Sequence, residues 1–199
     1  MFVKSNLSHQ RKSTKKRMNE LVLFNSTEYW IIFGLLVFSR GADFLSTWIA
    51  TPNLVLEANP LAKKMGWKWG IVINIILCII FSFWLLPALV VITTSVLVAA
   101  RNFQSAWLMR TIGEHSYKSW MSEKVKMAPL GLYLFCLLSQ TFLLSLVGIG
   151  LLIFSEEKVV PLGIGTGLIT YALAVAIYTI IGVWKIKNPE YNLFNTKYN

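Results

Sequence analysis

The chain has 199 residues, 55% of them hydrophobic and 14% charged, with a mean hydropathy of +0.58. Soluble domains carry about 25% charged residues, so the composition excludes an ordinary water-soluble domain and asks for lipid as the solvent. The formal charge is +10, with two Cys and two His; that excludes a disulfide scaffold and a His/Cys-rich zinc site.

Residues 1–28 form a basic arm with Lys4, Arg11, Lys12, Lys15, Lys16 and Arg17. Its apolar run Leu21–Phe24 is too short for the core of a signal peptide. The arm reads as a cytoplasmic tail, either solvated or lying on anionic headgroups. Four apolar stretches follow and predict an all-α transmembrane bundle of four helices, at about 29–50, 70–100, 128–154 and 160–184. The second is 31 residues long and would reach about 46 Å at 1.5 Å per residue. Pro87 lies inside it, and no Gly, Asn or charged residue offers a turn, so the expectation is one helix kinked or tilted at Pro87. Ser155–Val159 is so short that the last two spans must form a tight antiparallel pair.

Between the second and third spans, Phe103, Trp107, Leu108 and Ile112 keep helical spacing, which extends the second helix outward until Gly113 ends it. Trp120 and Met121 among Lys118, Lys124 and Lys126 then predict an amphipathic helix at the membrane surface. A four-span layout sorts fourteen Lys and Arg to the side of both termini, leaves four opposite and puts Arg40 within a span. By the positive-inside rule both termini are cytoplasmic, and residues 186–199 form a cytoplasmic tail. The basic excess is then topological, and nucleic acid is not an expected partner.

Charges inside a span are the strongest functional pointers, because each costs at least about 2.5–3.5 kcal/mol. Arg40 and Asp43 stand at i,i+3 in the first span and can pair. With Ser46 and Thr47 they make a polar stripe that must face other helices or a cleft. Either the pair is a clamp that pins the bundle or it belongs to a binding or ion-pathway site. In the following loop Asn59 and Pro60 have the chemistry of an N-cap and a first helical residue, and Glu57 suits the positive end of that helix. Asp43, Glu57, Asn59 and Asn74 all fall in the outer third of the layout. Oxygen ligands of this kind suit a cation, a protonatable relay or a polar headgroup. The sequence names no cofactor and no metal.

The pattern Asp43-Phe44-Leu45-Ser46-Thr47, Glu57-Ala58-Asn59-Pro60 and Asn74 resembles a family of small bacterial and archaeal membrane proteins, known only as a domain of unknown function. The match covers residues 40–74. It implies multi-span architecture, probing of these residues and no activity.

No serine-nucleophile elbow, zinc-protease motif or phosphate loop is present. Glu114-His115 falls on the cytoplasmic face of the four-span layout, across the bilayer from Asp43 and Glu57. Gly163 and Gly167 form a Gly-x-x-x-Gly face for close helix packing. Cys78 and Cys136 read as buried free thiols in opposite leaflets. The expectation is a non-enzymatic membrane protein with a polar outer-leaflet site, transporter-like or an accessory subunit. Its expected partners are membrane lipid and either itself or another membrane protein. The rivals are an intramembrane enzyme with Asp43 and Glu57 as acid and base, and a purely structural subunit.

Overall fold

The computed structural model describes residues 21–188 apart from residues 58 and 157, and omits the side chains of residues 60 and 61. Most of the basic N-terminal arm and residues 189–199 of the tail therefore lie outside the described residues. Six helices follow one another: α1 (Thr27–Ala50), α2 (Pro60–Phe81), α3 (Leu85–Ile112), α4 (Glu114–Met127), α5 (Leu130–Ile153) and α6 (Val159–Lys187). All but α4 contain a stretch long and apolar enough to cross a membrane, which makes five such helices. No strand occurs among the described residues.

The stretch read as one kinked span is two helices. α2 ends at Phe81, and the chain turns back through Ser82, Phe83 and Trp84 before α3 begins at Leu85. The turn has no glycine. Its polar groups are satisfied internally: the Ser82 hydroxyl donates to the Cys78 carbonyl, and the amides of Ser82, Phe83 and Trp84 donate to Cys78, Ile80 and Phe81. Internal pairing of this kind lets a turn close where water is scarce. Pro87 is the third residue of α3 rather than a mid-helix kink. In the first turn its missing N–H costs nothing, because no carbonyl of the helix lies behind it.

Contacts along α1 fix the direction of its neighbours. Val22 donates its backbone N–H to Phe83 and the Tyr29 ring sits 5.1 Å from that of Phe83. Arg40 bonds to both Asn74 and Ser95, Asn102 reaches Thr47, and Thr51 reaches Glu114. Thus α2 runs antiparallel to α1 and α3 runs parallel to it. One end of the bundle holds the Trp84 turn and the start of α1; the other holds the α1–α2 loop and α4. α6 runs parallel to α3, with Gly163 against Leu89 and Gly167 against Thr93. α5 returns antiparallel, with Gly148 against Gly165, and Lys187 donates to the Ala128 carbonyl 3.0 Å away at the Glu114 end. The described chain enters at the Trp84 end and leaves at the Glu114 end, unlike the four-span layout with both termini on one side.

The helices stand in the order α2, α1, α3, α6, α5, and small residues hold the central ones together. Ser39 and Ser46 of α1 and Ala88, Ser95, Ala99 and Ala106 of α3 are all buried. Such residues let helix backbones approach where lipid removes the usual hydrophobic driving force. α6 presents glycine on two sides, because residues two apart on a helix point about 200° apart. Gly163 and Gly167 meet α3, as their spacing predicted, while Gly165 meets α5. Gly113, at φ 87°, ends α3 and turns the chain into α4, which buries Tyr117 and Val125 and leaves Lys118, Lys124 and Lys126 exposed. The buried residues are thus not Trp120 and Met121, the apolar residues of the expected amphipathic helix, which stand exposed.

α2 is the least buried of the five apolar helices. Gly66, at φ 68° and ψ −175°, interrupts it, so its continuous part runs over residues 67–81. Cys78 is a buried free thiol, whereas Cys136 on α5 is exposed and not buried as expected.

Candidate functional site

Three helices build a polar cluster halfway along α1. Arg40 donates through Nη1 to Asp43 Oδ2 at 2.8 Å and to Ser95 Oγ at 3.2 Å. Its Nε donates to Asn74 Oδ1 at 2.7 Å, and Asn74 Nδ2 is anchored on the Gly70 carbonyl at 2.8 Å. The i,i+3 spacing that predicted an Arg40–Asp43 pair is realised, and Asn74 comes to it from α2. The side chains of Arg40 and Asp43 retain 28% and 17% exposure.

Ser46 and Thr47 extend the cluster one turn toward the Glu114 end. Both hydroxyls donate to the Asp43 carbonyl, at 2.8 and 2.9 Å, and both accept from Asn102 Nδ2, at 3.3 and 3.1 Å. Glu57 stands close enough for its charge to oppose that of Asp43, and its Oε1 accepts the Asn59 backbone N–H at 2.8 Å. The Asn59 carbonyl accepts the Lys63 amide, as the first bond of a helix that starts at Pro60. Asn59 thus shapes the start of α2. Arg40, Asp43, Ser46, Thr47 and Asn74 form one hydrogen-bonded group, with Glu57 at its edge.

Ser95 and Asn102 belong to the same group and were missed. They stand seven residues apart, on the stripe of Ala88, Ala99 and Ala106. That stripe of small and polar residues was legible, but reading Gly70–Ala100 as one helix hid which neighbour it faced.

Glu114 lies elsewhere than the four-span layout places it. Its carboxylate is not across the bundle from Glu57 but grips the α1–α2 loop beside it. Oε2 accepts from Thr51 Oγ1 at 2.6 Å and from the Val55 amide at 3.2 Å; Oε1 accepts from the amide and the side chain of Asn53, each at 3.0 Å. Partial burial works to raise the Glu114 pKa, but these four donors outweigh it and hold the carboxyl below its ordinary value. Glu114 is the first residue of α4, where the helix dipole also favours a negative charge. The loop is further tied by Trp67 Nε1, which donates to the Pro52 carbonyl at 2.8 Å. A polar cleft of about 470 Å³ beside this knot is lined by Arg110, Glu114 and His115.

The Arg40 cluster also borders a groove between α1 and α2. The groove measures about 570 Å³ and is lined by Val37, Gly41, Phe44, Leu45, Trp48, Trp67, Ile71, Ile75 and Cys78, with Arg40 and Asn74 on its floor. Its walls are otherwise apolar. Among the described residues, no three His, Cys, Asp or Glu side chains gather to hold a metal ion. No family model, curated protein or solved structure matches this chain.

Proposed function

We propose that this chain is a multi-pass integral membrane protein whose Arg40–Asp43–Asn74–Ser95 cluster is a ligand site, reached sideways through the α1–α2 groove. In this reading it works without catalysis, as a transporter-like protein or as an accessory subunit of a membrane complex. One observation carries the proposal: Arg40 is bonded by residues of three helices and still borders an apolar groove. A plain clamp has no need of an open side. Loop residues 51–57, pinned by Glu114 and Trp67, stand at the water-facing end of α1 and favour approach from the bilayer.

Asp43→Asn, Arg40→Gln and the double variant separate site from clamp. Breaking a fully buried pair costs about 3–5 kcal/mol, and the exposure of Arg40 makes the cost smaller here. For a clamp, each single change destabilises and the double change recovers most of the loss. For a site, the double variant folds but loses the ligand retained by the native protein, read as lipid and ion content after purification in mild detergent. Full retention by the double variant refutes the proposal.

The rival reading is an intramembrane enzyme acting on a lipid-like substrate, with Asp43 and Glu57 as its acid and base. It requires Glu57→Gln to abolish turnover of a lipid substrate while the fold and ligand retention stay intact.

A further inference from the structure

We infer that the α1–α2 groove holds one acyl chain of an anionic phospholipid drawn from the leaflet at the Glu114 end, with its headgroup on the lysines at the start of α2. The inference rests on the groove being open to the bilayer, as the proposed function has it, and names what fills the groove.

Length comes first. On α1 the groove runs from Trp48 to Val37, which at 1.5 Å per residue is about 16 Å. Half of a 30 Å hydrocarbon core is about 15 Å, so the groove is one leaflet deep. It suits one chain coming from one side. A molecule lying across both leaflets would overrun it.

The walls and the mouth agree. Trp48 and Trp67 flank the upper end, and tryptophan prefers the depth of the headgroups. Below them Phe44, Leu45, Ile71 and Ile75 offer only hydrocarbon to the occupant. On α2, Lys68 stands three residues before Ile71 and seven before Ile75, on the same helical stripe as the groove lining. Lys63 and Lys64 lie just before the break at Gly66, and all three lysines are exposed. A lysine near an anionic surface is worth about 1 kcal/mol, or roughly five-fold in affinity. A zwitterionic lipid would gain little there, so the charge selects an anionic headgroup.

The structure also supplies a blocking variant. A Cβ added at Gly41 meets nothing within 4 Å, although Gly41 lines the groove. Gly41→Leu therefore starts its side chain in open space and extends it into the space assigned to the lipid. Ile75→Phe, at a half-exposed position, is the second blocker.

The full chain is reconstituted in phosphatidylcholine vesicles containing a minor fraction of either phosphatidylglycerol or phosphatidylcholine with brominated chains. Bromine quenches tryptophan on contact, and six of the eight tryptophans lie outside the groove, so Trp30, Trp69, Trp84, Trp107, Trp120 and Trp184 are first replaced by Phe and Trp48 and Trp67 then report the groove. The expected result is stronger quenching by the brominated anionic lipid, with an apparent preference of at least roughly five-fold, the share of one lysine. The excess should vanish in Gly41→Leu and in Ile75→Phe, and should fall to the zwitterionic level in the Lys63→Gln, Lys64→Gln, Lys68→Gln triple variant. Equal quenching by the two lipids in the protein that keeps only Trp48 and Trp67 overturns the inference, as does an excess that survives both blockers in folded protein. Quenching reads the groove, whereas the Asp43 and Arg40 variants read the ion pair. Loss of lipid preference with an intact Asp43-dependent ligand would reject the lipid and leave the site standing.

Discussion

One substitution, glycine to alanine, has opposite expected effects at two places in this bundle. At Gly165 a Cβ would lie 2.7 Å from the Gly148 carbonyl oxygen and 3.1 Å from Leu151 and Leu152. The nearest obstacle is backbone, which cannot rotate away as a side chain can. α5 and α6 must part by about 0.7 Å to restore the 3.4 Å of ordinary contact. A gap of 0.5–1 Å forfeits a quarter to a half of each dispersion contact along the interface, and overpacking of this kind costs about 1–3 kcal/mol. The Cβ returns up to about 1 kcal/mol of helix propensity, so the net loss is about 0–2 kcal/mol. At Gly34 and Gly41 nothing lies within 4 Å of the added Cβ, and only the propensity gain of up to about 1 kcal/mol is left. Thermal unfolding of the three variants in one detergent measures the difference. Gly165→Ala should melt below the native protein, and Gly34→Ala and Gly41→Ala at or above it. Equal melting of all three would refute the α5–α6 contact and the reasoning built on it.

Further expectations concern topology and pH. Single cysteines placed at Lys63 and Ser116 should be labelled from the same side of a sealed vesicle, and one at Glu156 from the opposite side; labelling of Lys63 and Ser116 from opposite sides would remove the Trp84 turn. The Glu114 carboxyl is held below its ordinary value, so its grip on the loop is complete above the unfolded-state pKa of about 4.3 and is lost as pH falls through the lower folded value. Amide exchange at Asn53 and Val55, taken relative to the intrinsic rate at each pH, should therefore accelerate on acidification below about pH 4. In Glu114→Gln that exchange should already be fast at neutral pH, and an unchanged rate there would show that other contacts hold the loop.

Much of the bundle was legible because its signals are local. Gly113 as a helix stop, Asn59-Pro60 as a helix start and Gly163/Gly167 as a packing face all rest on a few adjacent residues. The Arg40–Asp43 pair was legible for the same reason, since i,i+3 on one helix needs no knowledge of the fold. The Trp84 turn was not legible, because it is closed by Ser82 and two aromatics instead of glycine, asparagine or charge. That omission did not stay local. In a chain that alternates sides, one missed reversal inverts every later element, and so Glu114 was placed a bilayer away from the loop it holds. The Lys and Arg sorting was inverted with it: Lys63, Lys64 and Lys68 share an end with Lys118, Lys124 and Lys126, and Lys158 lies at the other. Ser95 and Asn102 were lost to the same error, since their partners on α1 follow only from the direction of α3.

The break at Gly66 has a consequence for the surrounding membrane. The continuous part of α2, residues 67–81, spans about 22 Å at 1.5 Å per residue, while the 24 to 29 residues of α1, α3, α5 and α6 span about 36–43 Å. One flank of the protein is thus about 8 Å shorter than a 30 Å hydrocarbon layer, and the other flanks exceed it. Lipid beside α2 must thin or α2 must draw its ends inward, at a fraction of a kcal/mol per Å of mismatch. Because α2 also forms one wall of the groove, the thickness of the host bilayer acts directly on the width of that opening, and membranes of different sterol content or chain length present this protein with different mechanical loads at one helix alone.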